Sequence, residues 1–277
     1  MFDAGLLSER TQPRAIGAAA VGAARRGCAS TLAGLRQQGS AKIFLPGVPG
    51  DALEAVLLNT AGGITGGDRF RWSADAAAGA RLVITTQAAE RAYRAQDSEL
   101  ASVETRLEIA AGARIDWLPQ ETILFDRSAL SRRIEVDMEP DATLVLAESV
   151  VLGRRAMGER VRSCRFSDQW RIRRGGRLVH ADALRIWGET AGLAAPAALG
   201  GATAFASIVM VAPDVADRLD PVRRLLADAP GVEAGASAFD GCLVLRMLAE
   251  DGYALRPALL RLLTCLCGRP LPRVWSI

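Results

Sequence analysis

Apolar and polar residues alternate with a period of two over one stretch of this chain after another, and that alternation restricts it to a β-rich fold. Val103, Thr105, Leu107 and Ile109 alternate with Glu104, Arg106 and Glu108, and Ile134, Val136 and Met138 alternate with Glu135 and Asp137. Successive side chains of a strand point to opposite faces, so each run reads as a strand with one dry and one wet face. Residues 82–86, 143–151 and 202–211 are more continuously apolar, as expected for strands covered on both sides. Gly175-Gly176 separates the runs at 170–173 and 177–184, which predicts a two-residue hairpin turn. Strand-like runs recur about every ten to fifteen residues with Gly, Asp or Pro between them, a spacing that favours layered or coiled sheets over βαβ units.

Helical periodicity is confined to the last quarter. Asp220-Pro221 reads as an N-cap and a first-turn proline, with Val222, Leu225, Leu226 and Ala229 on one face. Residues 214–219 are either a separate turn or an upstream extension. A second helix is expected to begin near Pro257, to bury Leu259, Leu262, Leu263 and Leu266, and to stop at Gly268 before Pro270. No internal repeat of fixed period and no low-complexity linker interrupts the pattern, so residues 1–277 read as a single domain. The fold class expected is mainly β, many short strands in stacked or coiled sheets, with two helices near the C-terminus.

Half of the 277 residues are apolar, enough for a sizeable core. Lys plus Arg number 34 against 31 Asp plus Glu, and a balance of +3 leaves no basic footprint for nucleic acid. Lys42 is the one lysine; the arginine bias suits bidentate pairing at interfaces, and equally suits a GC-rich coding sequence. No apolar run approaches the roughly 20 residues that cross a bilayer. The alanine-rich stretch 15–24 follows Asp3 and Glu9 and lacks a signal-peptide cleavage site, so a cytoplasmic protein without membrane association is expected. An odd number of irregularly spaced cysteines (Cys28, Cys164, Cys242, Cys265 and Cys267) fits reduced thiols rather than a disulfide framework.

The most distinctive segment is 57–68, which packs Gly62, Gly63, Gly66 and Gly67 into six positions. A phosphate-cradling loop is excluded, because no Lys-Ser/Thr pair follows the glycines and no clear helix opens behind them. A tight structural turn is the reading left by pattern alone. Further segments stand out in order: Thr85-Thr86 to Tyr93-Arg94, then Leu118-Pro119-Gln120-Glu121-Thr122-Ile123-Leu124-Phe125-Asp126, then Gly153-Arg154-Arg155 to Gly158-Glu159, and finally Trp275.

This ordered set resembles the urease accessory protein D family, called UreD or UreH, over about residues 50–277; residues 1–45 match it less well. The resemblance implies a mainly β fold with helices toward the C-terminus. It implies a non-enzymatic nickel-insertion chaperone that binds the urease apoprotein and the accessory protein UreF, which recruits the GTPase UreG. Nickel would be transient cargo on an internal wet route, with no tightly bound cofactor.

The residue chemistry suits a passage better than a trap. Tight nickel sites favour imidazole and thiolate, yet His180 is the only histidine. Cys265 and Cys267 stand two apart on a helix, so their thiols face different ways and read as small hydrophobes. A passage needs weak oxygen ligands along a wet path, and the carboxylates of the matched segments are the candidates: Asp68, Glu121, Asp126, Glu148 and Glu159. Asp182 joins them because it shares a strand face with His180. Each has an ordinary alternative as a turn cap, an ion-pair partner or a solvated side chain. Tyr93, Arg94, Arg154 and Arg155 are candidate partner contacts, in loops where a solvated surface is the other reading. An enzyme lacks support: no serine elbow or zinc spacing is present, and few aromatics line a sugar cleft. The alternatives are a structural binding module without metal transfer and, further off, a carboxylate-based hydrolase.

Overall fold

A computed structural model describes residues 13–96, 99–154 and 157–276 of the chain. The chain opens with the hairpin β1 (Ile16–Arg26) and β2 (Ala29–Gly39), followed by β3 (Ala41–Phe44). From β4 (Leu53–Asn59) onward it winds as a coil between two sheets. The strands β5 (Arg69–Ala76), β6 (Arg81–Thr86), β7 (Glu90–Ala92), β8 (Ala101–Ile109) and β9 (Arg114–Leu118) follow in order. Then come β10 (Thr122–Leu124), β11 (Ala129–Met138), β12 (Thr143–Leu152) and β13 (Ser163–Arg174). In this stretch β5, β8, β11 and β13 join the first sheet in parallel, while β4, β6, β9 and β12 join the second, also in parallel. Antiparallel strands complete the layers: β14 (Arg177–Glu189) in the first sheet, and β15 (Ala204–Val211), β16 (Val232–Phe239) and β17 (Cys242–Ala249) in the second.

The first sheet has seven strands in the order β14-β13-β11-β8-β5-β1-β2; the second has ten, running β16-β17-β15-β12-β9-β6-β4-β3, with β10 beside β12 and β7 beside β10. Their inner faces share one core that includes Leu107, Ile115, Ile134, Leu144 and Phe166. The outer face of the second sheet is covered by α1 (Leu219–Ala227) and α2 (Gly252–Cys267), with Leu243, Leu245 and Met247 packed among Leu259, Leu262 and Leu266. This arrangement accounts for both sequence patterns. Strands of the first sheet alternate because solvent bathes one face, where Arg71 and Glu104 pair across neighbouring strands at 3.0 Å. Strands such as β12 and β15 are apolar throughout because a second layer lies on each side.

The hairpin turn falls at Gly175 (φ +57°) and Gly176 (φ +76°), the pair of positive φ values a type I′ turn demands. Both helices form where the periodicity put them, with shifted starts. Residues Val215–Arg218 form a short 3-10 turn, and Asp220 lies inside the first turn of α1 rather than capping it. α2 begins five residues before Pro257: Asp251 accepts a 2.9 Å bond from Ala254 N and caps the helix, leaving Pro257 inside it. Gly268 ends α2 in the left-handed conformation, its N–H donating to Thr264 O at 3.0 Å. Cys265 is exposed and Cys267 buried, so the two thiols do face apart.

Candidate functional site

Every passage from the second sheet to the first runs along the same edge of the coil. The four distinctive segments of the sequence are those passages, stacked in order. Ile64 N donates to Arg91 O (2.8 Å), Tyr93 N to Ile64 O (2.7 Å), Phe125 N to Ala92 O (3.0 Å) and Gly153 N to Leu124 O (2.8 Å). Blocks separated by some thirty residues of chain are thereby joined into one backbone ladder.

Close approach explains the glycines. Gly63 has φ +152°, and a Cβ there would fall 2.2 Å from the Tyr93 ring. A Cβ on Gly66 would meet Glu99 O at 2.7 Å; Gly62 and Gly67 have positive φ. Tyr93 donates its hydroxyl to Gly62 O at 3.2 Å and meets Phe125 edge-on, ring centroids 4.9 Å apart. Arg154 lies over the same Phe125 ring at 4.3 Å and donates from Nε to Glu159 at 2.9 Å. Asp126 accepts from the amides of Arg162 (2.7 Å) and Ser163 (3.1 Å), and these bonds outweigh partial burial to hold its carboxyl below the usual range. Arg94 is exposed, and its carbonyl accepts from Thr65 Oγ1. Thus Tyr93 and Arg154 share one aromatic contact, while Arg155 lies outside the described residues.

Asp68 is 3 % exposed and spends both oxygens on backbone amides, Ala15 N at 2.7 Å and Thr65 N at 2.8 Å. It fixes the glycine loop against β1. Glu121 faces α2, where Arg256 Nη1 reaches it at 3.4 Å and Gln120 at 2.9 Å while Nη2 donates to Trp275 O.

A second group of polar side chains lies between the sheets. Arg132 projects from β11 and is 6 % exposed. Its Nε and Nη2 donate to Asp168 of β13 at 3.0 and 2.6 Å, and its Nη1 donates to Glu148 of β12 and to Thr122 Oγ1. The carboxylates are held from the other side by indoles: Trp117 Nε1 to Glu148 (2.9 Å) and Trp170 Nε1 to Asp168 (3.1 Å). Burial pushes the Glu148 carboxyl upward; Arg132 opposes that and Asp168 adds to it. The guanidinium itself is held protonated, because its two carboxylates outweigh its burial.

Strand register extends this group in both directions. Glu148 is in register with Ser207 of β15, and Ser207 with Arg246 of β17, which forms an ion pair with Asp182 on β14. His180 shares the inner face of β14 two residues away; burial lowers its pKa, and its Nε2 is buried without a hydrogen-bond partner. On the other side, Thr122 of β10 is in register with Glu90 of β7. Glu90 accepts from Asn59 Nδ2 at 3.2 Å, and burial pushes its carboxyl up to about 7. It lines a cleft of about 200 Å³ beside Asn59, Gly63, Trp72 and Thr86. Asn59, Glu90, Thr122, Arg132 with its two carboxylates, Ser207, Arg246 and Asp182 therefore form a polar file along the coil. Among the described residues, no three His, Cys, Asp or Glu side chains cluster closely enough to hold a metal ion.

Of the carboxylates singled out in the sequence, Glu148 and Asp182 belong to this file, with His180 beside it. Asp68, Asp126 and Glu159 belong to the stacked edge, and Glu121 to the α2 contact. Glu90, Arg132 and Asp168 were missed. The signal for two of them was present: Arg132 sits on the dry parity of Leu130, Ile134 and Val136, and Asp168 on that of Phe166 and Trp170. A charge on the apolar face of a strand is a buried charge and requires a partner.

A family model described as UreD urease accessory protein matches residues 15–276. The urease accessory protein UreD of Rhizobium leguminosarum bv. viciae is 51% identical over 245 residues, 88% of each chain. The proteins of the same name from Methylobacterium sp. (strain 4-46) and Chelativorans sp. (strain BNC1) are 49% identical over 255 residues and 47% over 265, covering 90% and 95% of each chain. The chain belongs to the family of UreD urease accessory proteins.

Proposed function

We propose that this protein acts in urease maturation, as a scaffold that binds the urease apoprotein and as a passage for nickel toward the urease active site. The interior polar file carries this reading. Buried charges are costly and are kept where they pair or function, and here they line up between an open cleft at Glu90 and the Asp182–Arg246 pair at the far strands. Its ligands are oxygens, with His180 the one imidazole beside them, so a divalent cation would be bound weakly enough to move on. Nickel is cargo in this account, and no resident cofactor or catalytic step is assigned.

The stacked edge supplies the scaffold. Tyr93 and Arg154 rest on the buried Phe125 ring and place an aromatic and a guanidinium group side by side, the residue types that anchor interfaces. We assign partner contacts there, to urease or to the accessory proteins UreF and UreG that the family resemblance implies. No helix among the described residues is long and apolar enough to cross a membrane, and work in the cytoplasm is part of the proposal.

Glu148→Gln combined with Asp182→Asn tests the passage. Urease co-expressed with the variant should lose most of its activity, while the variant still co-purifies with urease. Full activation by the double variant would reduce the protein to a scaffold. That second reading has its own support, because the file is filled by Arg132.

A further inference from the structure

We infer that Arg132 is the plug of the interior file: its guanidinium occupies the place of a divalent cation between Glu148 and Asp168, and a cation advances only when that side chain is displaced. The inference rests on the passage reading, but the arrangement behind it is seen directly. Nε and both terminal nitrogens are engaged at once, Nε and Nη2 on Asp168 and Nη1 on Glu148 and Thr122. Two carboxylates from opposite sheets face one guanidinium, whose single charge can answer only one of them in full. A divalent ion in the same place brings the pair to neutrality, the favoured balance in a site sealed from water.

Each carboxylate also has an anchor other than Arg132. Each keeps an indole donor, Trp117 for Glu148 and Trp170 for Asp168, from side chains that are 4 % and 1 % exposed. Withdrawal of the guanidinium would therefore leave two oriented oxygen ligands standing. It also has somewhere to go. Nη1 already touches Thr122, whose register neighbour on the next strand, about 4.8 Å away, is Glu90 at the cleft. A swing toward Glu90 exchanges one carboxylate partner for another, and it vacates the cation position as an ion arrives. Phe166 lies 5.6 Å beneath the guanidinium and provides a flat surface along which to slide.

The test is titration of the untagged protein with nickel chloride, followed by calorimetry. Arg132→Gln keeps a donor but removes the charge, and its shorter side chain leaves the cation position open. It should gain one nickel site at least tenfold tighter than any in the wild type, and the gain should vanish in Arg132→Gln/Glu148→Gln. The exposed thiols Cys28 and Cys265 are common to all three proteins and cancel from the comparison. A folded Arg132→Gln that binds nickel no better than the wild type overturns the inference. If that variant does not fold, Arg132→Lys decides: a lysine keeps the charge yet spans one carboxylate, so nickel binding should still rise, and no rise overturns the inference equally. The passage reading fails on a different result. Gain of nickel binding in Arg132→Gln together with normal urease activation by Glu148→Gln retains the plug and removes the passage; the reverse pair of results does the opposite.

Discussion

Two of the acid–arginine groups in this molecule are alike in sequence but opposite in physics. Arg132 with Glu148 and Asp168 lies between the sheets, its side chains 9 % exposed or less. Arg154 with Glu159 lies on the stacked edge, with 47 % of the arginine side chain in contact with solvent. In the interior, each charge exists only because another answers it, since burying an unpaired ion costs several kcal/mol. On the edge, water answers the guanidinium and loop amides answer the carboxylate, which is 19 % exposed, and the pair's value lies in shape: the guanidinium covers Phe125 while the carboxylate reaches back to the loop. Burial, rather than residue type, separates groups that tie the two sheets together from groups that decorate a surface.

The largest effect that could break this contrast is at Arg132. Arg132→Met should cost about 3–5 kcal/mol in urea unfolding, because two buried carboxylates lose their cation. A loss below about 1 kcal/mol would mean that water reaches the cluster and that interior and edge do not differ. Next in size is Gly63→Val. The loop backbone has φ +152° there, and Tyr93 fills the space a side chain needs. Strain and overpacking together should remove about 2–4 kcal/mol. A stable, soluble Gly63→Val would show that the edge is loose enough to re-form around a side chain.

The contrast also explains what the sequence disclosed and what it withheld. Period two reports burial of one face, so the wet strands of the first sheet and the doubly covered β12 and β15 were legible residue by residue. The coil was not, because its repeat has no fixed length. Arg69, Ser102, Ser131 and Ser167 stand side by side on four parallel strands, so successive coils advance by 33, 29 and 36 residues. One trace of it was present in the turns on the opposite edge: Gly79-Ala80-Arg81-Leu82, Gly112-Ala113-Arg114-Ile115 and Asp141-Ala142-Thr143-Leu144 are equivalent, each with its alanine buried. Likewise, the stacked edge was visible as four separate motifs but not as one surface, since hydrogen bonds such as Phe125 N to Ala92 O join residues of different coils. The α2 start was misplaced because Pro257 was given the first-turn position that Asp251 and Gly252 define.

Glu90 sharpens the contrast at the border between the two regions. Its folded carboxyl titrates near 7, above the ordinary 4.5, with burial the main cause and the Asn59 hydrogen bond opposing. An acid whose pKa is raised on folding contributes stability that is complete below the unfolded value and disappears as pH rises through the folded one. The wild type should therefore lose stability relative to Glu90→Gln between about pH 4.5 and 7, by roughly 1–3 kcal/mol. Thermal unfolding of both proteins at pH 5 and pH 8 measures this: the variant should gain on the wild type at the higher pH. Parallel curves would place Glu90 in water, on the edge side of the border.

The smallest expected effect tests the edge itself. A double-mutant cycle on Arg154→Ala and Glu159→Ala should return an interaction of about 0.2–1 kcal/mol, shrinking as salt is raised, because solvent screens the guanidinium and loop amides already satisfy the carboxylate. Stability is thus the wrong place to look for the pair's role. If Arg154 presents its guanidinium to a partner, Arg154→Ala should weaken co-purification with urease while leaving unfolding nearly unchanged, and Glu159→Ala should do the same less strongly by freeing the guanidinium to wander. The interior cluster should show the reverse ordering, a large change in unfolding with the partner contacts retained by whatever fraction stays folded. An Arg154→Ala protein that unfolds several kcal/mol more easily would place the edge pair in the same class as the interior one, and the division between tie and decoration would have to be drawn by something other than burial.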